Sequence, residues 1–373
     1  MIEHDFSDAC IRIMGLLSER NNVLLSGPPA TGKSRLLAEL KSAFQTAVKA
    51  GASYRPERRI PLPANNTTVP GWLPSPERDN RKVFVSAFDQ STHQRDVLRG
   101  LVPRITKDGE TLGFTVSKGI LYRAAEHART PEGASLLIID EINRGPAVAV
   151  FGASIVSLES DKRLAADGLP SSTTQTFELL DDDGQMVDYA LPRHLYIVGA
   201  MNQADASVAP LDVAFQRRFA PYQLRPNESV LWHHFGLDRE LTSPLPEETS
   251  CHEDVYTALV CAWRRVNDRL SVGRGAAFQL GHGALMHTIP PQDHDGALKY
   301  AANCWTLLKA HVDEVFFGDL RGIAETISAD APGSPYTLNE TTFAEQPVLQ
   351  LSPSEDLPPD QVYRALKAIA ESR

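Results

Sequence analysis

The stretch Gly27-Pro28-Pro29-Ala30-Thr31-Gly32-Lys33-Ser34 matches the pattern GxxxxGK[ST] of a phosphate-binding loop. A short apolar run at 23–25 precedes it, and apolar residues with helical spacing follow over 34–50. This is the strand, loop and helix context that the motif requires. The glycines let backbone N–H groups turn toward phosphate oxygens, and the helix points the positive end of its dipole at them. We therefore expect all eight residues to line a phosphate site.

Two side chains of the loop supply its charge chemistry. Lys33 should neutralise the β- and γ-phosphates, and the Ser34 hydroxyl should bind Mg²⁺ together with phosphate oxygens and water. The alternative is a glycine turn before an ordinary helix, with Lys33 merely exposed. The flanking strand and helix favour the phosphate site.

Two acidic residues follow an uninterrupted aliphatic run at 136–139, which is typical of a central parallel strand. Ligands of doubly wound folds bind at the carboxyl ends of such strands. Asp140 is therefore expected to hold the Mg²⁺ shell, and Glu141 to polarise an attacking water as a general base. The alternative role for this pair is helix capping.

Three further side chains are candidates for contact with the γ-phosphate. Asn202 follows the predicted strand at 195–199, where an amide can orient the water or contact the phosphate, although it could also cap a turn. Arg217 and Arg218 lie in a short helical stretch, and planar guanidinium groups stabilise phosphate charge in the transition state, often from a neighbouring subunit. The alternative is two surface arginines.

Strands that alternate with helices predict an α/β fold with a doubly wound parallel sheet and helices on both faces. We expect this nucleotide-binding domain over 1–224, with a Pro- and Arg-rich insertion at 52–81. Two hairpins are expected near 104–117, around Lys107-Asp108-Gly109, and near 167–192. A small helical lid domain should follow over 225–323, and an acidic tail with a terminal helix over 324–373.

Composition limits the remaining function classes. The net charge of −10 argues against duplex binding by the whole surface, and no apolar run approaches the roughly 20 residues that span a membrane. The start of the chain lacks a secretory signal, so a cytoplasmic protein is expected. The four cysteines form no CxxC pair. Residues 55–107 carry ten Lys or Arg against five acids, either as a solvated face or as a contact for nucleic acid or an acidic partner.

Several segments, taken in order, carry a family resemblance. They are FVSAFDQSTHQRDVLRG at 84–100, GFTVSKGILYRA at 113–124, DEINRG at 140–145, LPRHLYIVGAMNQAD at 191–205, LDVAFQRRF at 211–219 and FQLGH at 278–282. With the phosphate loop, they resemble the AAA+ superfamily and, more narrowly, the McrB-type motors of modification-dependent restriction systems.

The resemblance implies a ring, commonly a hexamer, with nucleotide between subunits and Arg217 or Arg218 reaching the neighbour's phosphate. It implies an Mg²⁺-dependent, nucleotide-hydrolysing motor that acts on a separately encoded, nuclease-like effector in a defence complex. Motors of this kind use ATP or GTP, and the phosphate-binding residues do not read the base; we expect ATP. One alternative is a MoxR-like chaperone ATPase that remodels a protein client, against which 84–100 and FQLGH argue. Another is a nucleotide-dependent switch with negligible turnover.

Two features depart from the McrB-type pattern. The family usually has an arginine directly after the acid of MNxAD, where this chain has Ala206, which puts coupling to a nuclease-associated activator in question. The family's basic N-terminal module also has no counterpart ahead of the phosphate loop. We therefore expect DNA recognition to reside elsewhere or to be missing.

Overall fold

The computed structural model describes residues 6–45, 78–105, 112–204, 211–237 and 244–372. Most of the predicted insertion at 52–81, the expected turn at 107–109 and Ala206 lie outside the described residues. The chain forms two compact units. The first comprises Met1–Ser26 and Lys33–Gln223, and the second Gly27–Gly32 and Leu224–Arg373.

A five-stranded sheet forms the centre of the first unit. The strands of this unit are β1 (Asn22–Gly27), β2 (Asn80–Ala87), β3 (Arg99–Ile105), β4 (Leu112–Lys118), β5 (Gly133–Asp140), β6 (Phe177–Leu180), β7 (Met186–Tyr189), β8 (Leu195–Asn202) and β9 (Ala220–Gln223). Its helices are α1 (Asp8–Arg20), α2 (Lys33–Gln45), α3 (Gln94–Val97), α4 (Ile120–Arg129), α5 (Ala147–Phe151) and α6 (Val213–Gln216). The sheet order is β2-β5-β8-β1-β9, with β2 and β5, β5 and β8, and β1 and β9 paired in parallel. The predicted parallel α/β fold is confirmed.

Helices cover both faces of this sheet, because successive side chains of a strand point to opposite sides. Ile197 of β8 packs into the same apolar cluster as Leu121 of α4. Its neighbour Tyr196 meets Phe44 of α2 edge to face, with ring centroids 6.0 Å apart. The central strands are buried along nearly their whole length, which explains their continuous aliphatic sequence.

The two predicted hairpins are present, with β3 antiparallel to β4 and β6 antiparallel to β7. The first begins earlier than predicted, at Arg99. Residues 147–157 form two short helices of different type. The α-helix stops at Phe151 because Gly152 adopts a φ of +50°, and a 3₁₀ helix continues over Gly152–Ser157.

The second unit is mainly helical. It contains α7 (Glu228–His234), α8 (His252–Gly273), α9 (His294–Val315), α10 (Leu320–Thr326), the antiparallel strands β10 (Thr337–Phe343) and β11 (Gln346–Ser352), and α11 (Pro359–Glu371). Trp263 of α8, Leu308 of α9 and Leu366 of α11 share one apolar core. Residues assigned from sequence to an acidic tail thus contribute a helix to the same core as the predicted lid helices.

Two further findings concern the chain as described. No helix among the described residues combines the length and apolar character needed to cross a membrane. All four cysteines are free thiols, and burial raises the pKa of Cys10 and Cys304 to about 12. Such thiols stay protonated and unreactive near neutral pH.

Candidate nucleotide-binding site

The phosphate loop has the backbone conformation of a turn that needs glycine. Gly32 has a φ of +89°, in the left-handed region, and a Cβ on Gly27 would lie 2.6 Å from the carbonyl oxygen of Leu224. Thr31 donates its hydroxyl to the carbonyl oxygen of Pro28 at 2.8 Å. Gly32 is therefore required by its backbone conformation, and Gly27 by the close approach of the Leu224 backbone.

Lys33 begins α2, and Ser34 follows it on the first turn of that helix. Burial lowers the pKa of the Lys33 ammonium, and the carboxylates of Glu141 and Asp140 act in the opposite direction. The structure thus brings the lysine of the loop motif near both acids that follow the aliphatic strand. An ammonium group in this position can neutralise phosphate charge.

Asp140 ends β5 and Glu141 follows it, at the edge of the sheet where β8 also ends, because the strands are parallel and Ile139 lies in register with Gly199. Glu141 has a φ of +50°, which is uncommon for a residue with a side chain. Its backbone N–H donates to Asp140 Oδ1 at 3.0 Å. Strained backbone of this kind occurs at functional sites.

The Glu141 carboxylate is held from both sides. Asn202 Nδ2 donates to Glu141 Oε1 at 2.8 Å, and Arg144 Nε lies 3.3 Å from Glu141 Oε2. Asn143 Nδ2 in turn donates to the Asn202 backbone oxygen at 3.1 Å. Sequence reasoning named Asn202 and Glu141 but not Asn143 or Arg144. Asn143 and Arg144 lie two and three residues after Glu141. This spacing places them near the Glu141 carboxylate only if a turn follows the strand, which the sequence does not show.

The donor set fits Mg²⁺ and nucleotide phosphates. Ser34 offers a hydroxyl and Asp140 a carboxylate, and Mg²⁺ prefers oxygen ligands of this kind. Within the described ranges, no group of three or more His, Cys, Asp or Glu side chains could enclose a metal ion.

The structure separates the two arginines that the sequence could not distinguish. Arg218 is largely buried, donates from Nε to the Ile155 carbonyl oxygen at 3.0 Å, and also bonds to the Ala214 carbonyl oxygen. Arg217 is exposed at the end of α6, and no hydrogen bond or ion pair of its side chain is found among the described residues. Arg218 is therefore bonded into the local fold, whereas the Arg217 side chain is exposed.

A family model covers part of this site. Residues 76–219 match the AAA domain of the dynein-related subfamily, a range that contains Asp140, Glu141, Asn202 and both arginines and begins after the phosphate loop.

Two relatives extend the likeness. The chain is 26% identical over 277 residues to the type IV methyl-directed restriction enzyme EcoKMcrB subunit of Escherichia coli, covering 72% of this chain and 48% of that protein. It is 36% identical over 137 residues to the type II restriction enzyme BsuMI component YdiS of Bacillus subtilis, covering 30% of this chain and 39% of that protein. The chain thus spans about half the length of the first relative and less of the second. The chain therefore contains an AAA domain of the dynein-related subfamily at residues 76–219 and is similar in sequence to these McrB-like restriction proteins.

Proposed function

We propose that the protein is an Mg²⁺-dependent nucleoside triphosphatase, a motor subunit that works in a ring and drives a separate effector in a restriction or defence complex. The observation that carries the proposal is the hydrogen bond from Asn202 to the Glu141 carboxylate at the sheet edge where β5 and β8 end, with Lys33 near enough to feel the charge of Glu141 and Asp140. A nucleotide-dependent switch would need only the phosphate-binding groups. A positioned general base is the added feature that favours hydrolysis.

The residues divide the proposed reaction between binding and proton transfer. The loop N–H groups and Lys33 bind the phosphates, while Ser34 and Asp140 hold Mg²⁺, which when bound neutralises charge on the phosphate oxygens. Glu141 accepts the proton of the attacking water. Asn202 fixes the orientation of the Glu141 carboxylate through its 2.8 Å hydrogen bond.

The exposed Arg217 supports a site completed by a second subunit. A guanidinium with no partner among the described residues can reach outward, and a homo-oligomeric ring, proposed as a hexamer, would place it at a neighbour's phosphate. Hydrolysis should then depend on assembly.

We expect turnover per subunit to rise with protein concentration and to level off once rings have formed. Steady-state hydrolysis measured across a dilution series, beside sedimentation at the same concentrations, tests this. Lys33→Ala is the control for contaminating activity, because it removes the phosphate-neutralising ammonium. Turnover strictly proportional to protein at every concentration would contradict shared sites.

The base of the nucleotide is a separate question, since the named side chains are assigned to the phosphates, Mg²⁺ and the attacking water. We propose ATP over GTP as substrate. Competition of unlabelled ATP and GTP against a fluorescent nucleotide analogue should show tighter binding of ATP. Preferential displacement by GTP would reverse the assignment and leave the hydrolytic mechanism unchanged.

We propose that the effector is separately encoded and nuclease-like, because the two relatives are named as a subunit and a component of restriction enzymes. Nucleic acid would be contacted through the complex or through the basic stretch at 55–107. The proposed setting is the cytoplasm. Copurification of a protein without nuclease character, remodelled in a nucleotide-dependent way, would favour the MoxR-like chaperone instead.

A further inference from the structure

The backbone of residues 279–283 contacts the phosphate loop directly. The N–H of Gly281 donates to the carbonyl oxygen of Pro29 at 2.9 Å, and the N–H of Gly283 to that of Ala30 at 2.9 Å. A Cβ on Gly281 would lie 2.1 Å from the Ala30 carbonyl carbon, and one on Gly283 2.8 Å from the Ala30 oxygen. Neither glycine has a positive φ, so the close approach itself excludes a side chain.

These two hydrogen bonds set the direction of the loop's own donors. In a trans peptide the N–H points opposite to the preceding C=O. Because the Pro29 oxygen is hydrogen-bonded to Gly281, the Ala30 N–H in the same peptide unit points away from Gly281. In the same way, the bond between Gly283 and the Ala30 oxygen makes the Thr31 N–H point away from Gly283. Pro28 and Pro29 have no N–H, so Ala30 and Thr31 provide the first donors after Gly27.

The contacting segment is itself held by α8. Asn267, which is only 3% exposed, accepts the Leu280 N–H at 2.7 Å and donates to the Leu280 oxygen at 2.9 Å. Trp263 Nε1 donates to the same oxygen at 3.0 Å. A segment bonded through both its N–H and its C=O has little freedom to shift, so it forms a rigid support for the loop carbonyls.

We propose that Gly281 and Gly283 are positioning residues for the nucleotide phosphates. They hold the Pro29 and Ala30 carbonyls by hydrogen bonds. The Ala30 and Thr31 N–H groups are thereby oriented toward the position of the phosphates before nucleotide binds. Because the same bonds link loop and segment, nucleotide that stabilises the loop also makes local opening of residues 279–283 less frequent. This inference rests on the proposed function, since it requires that the loop bind phosphate.

The proposal is tested by comparing the nucleotide affinity of three glycine-to-alanine variants of the full chain. Gly283→Ala should bind a fluorescent ATP analogue about tenfold more weakly, the loss expected for one disturbed hydrogen bond. Gly281→Ala should lose more, because its Cβ meets backbone at 2.1 Å. The matched control is Gly273→Ala at the end of α8, where the Cβ meets only the Phe316 ring edge at 3.0 Å, and its affinity should stay that of wild type.

Melting temperature and far-UV circular dichroism identify the folded variants, so that affinity is compared among these alone. If Gly281→Ala does not fold, the comparison of Gly283→Ala with Gly273→Ala decides. Wild-type affinity in a folded Gly283→Ala would overturn the proposal.

Amide hydrogen exchange of the wild-type chain gives a second test. If Gly281 and Gly283 had only a structural role, nucleotide binding would not change the exchange rate of residues 279–283. Adding the ATP analogue should slow amide exchange in peptides covering 279–283 together with those covering 27–34, and Lys33→Ala should show neither change. Nucleotide binding that protects 27–34 and leaves 279–283 unchanged would overturn the positioning role but not the proposed function. Absence of any nucleotide binding by the wild type would instead overturn the proposed function.

Discussion

Glu141→Gln is expected to reduce nucleotide hydrolysis by about a hundredfold or more, the usual contribution of a positioned general base. The replacement keeps the size of the side chain. It also keeps an oxygen at the position of Oε1, which can accept the hydrogen bond from the Asn202 amide. It removes the carboxylate that takes the proton of the attacking water. Binding of nucleotide should survive, so the variant should retain triphosphate that wild type converts to diphosphate.

The measurement is single-turnover hydrolysis with labelled ATP, followed by filtration to find which nucleotide remains bound. Glu178→Gln is a matched control, because it makes the same chemical change at an exposed position on β6. Glu141→Gln turnover equal to that of Glu178→Gln would show that Glu141 is not the base. Lost binding in Glu141→Gln would show that the carboxylate supports the loop rather than the reaction.

The parallel sheet was predictable because its signals are local. The central strands are continuous aliphatic runs, and the glycines and lysine of the loop stand at fixed spacing between a strand and a helix. The approach of Glu141 to Asn202 follows from the rule that neighbouring parallel strands end at the same edge. These features needed no knowledge of distant contacts.

The rest depended on contacts between residues far apart in the chain. FQLGH was recognisable as a family segment, but nothing in its letters indicates that Gly281 bonds to Pro29. The helix break after Phe151 arises because Gly152 adopts a positive φ, which a single glycine permits but does not require. The β10–β11 hairpin was missed because its strands are largely exposed and lack a clear apolar alternation.

The difference between the adjacent arginines was equally hidden, and it leads to the second large effect. Arg217→Ala should lower hydrolysis by about a thousandfold or more, as expected for removal of an arginine that stabilises transition-state charge. Ring assembly and melting temperature should stay unchanged, since the Arg217 side chain contacts no described hydrogen-bonding partner. Arg217→Lys should restore little, because a single ammonium does not reproduce the planar fork.

Arg218→Ala is the contrasting variant. It leaves the carbonyl oxygens of Ile155 and Ala214 without their guanidinium donor, a loss of about 1–3 kcal/mol in the free energy of unfolding. Arg218→Ala should therefore lose both activity and stability, whereas Arg217→Ala should lose activity and keep the stability of wild type. Equal stability losses in both variants would remove the distinction between them.

Mixing two inactive variants separates action in trans from action in cis. Arg217→Ala retains Glu141, and Glu141→Gln retains Arg217, so a mixed ring contains interfaces in which one subunit supplies the base and its neighbour the arginine. Random mixing in equal amounts gives such an arrangement at about a quarter of the interfaces, and activity should reappear in that proportion. A mixture as inactive as its components would require each subunit to supply both groups to its own nucleotide. The exposed position of Arg217, with the Arg218 guanidinium bonded inward beside it, favours recovery.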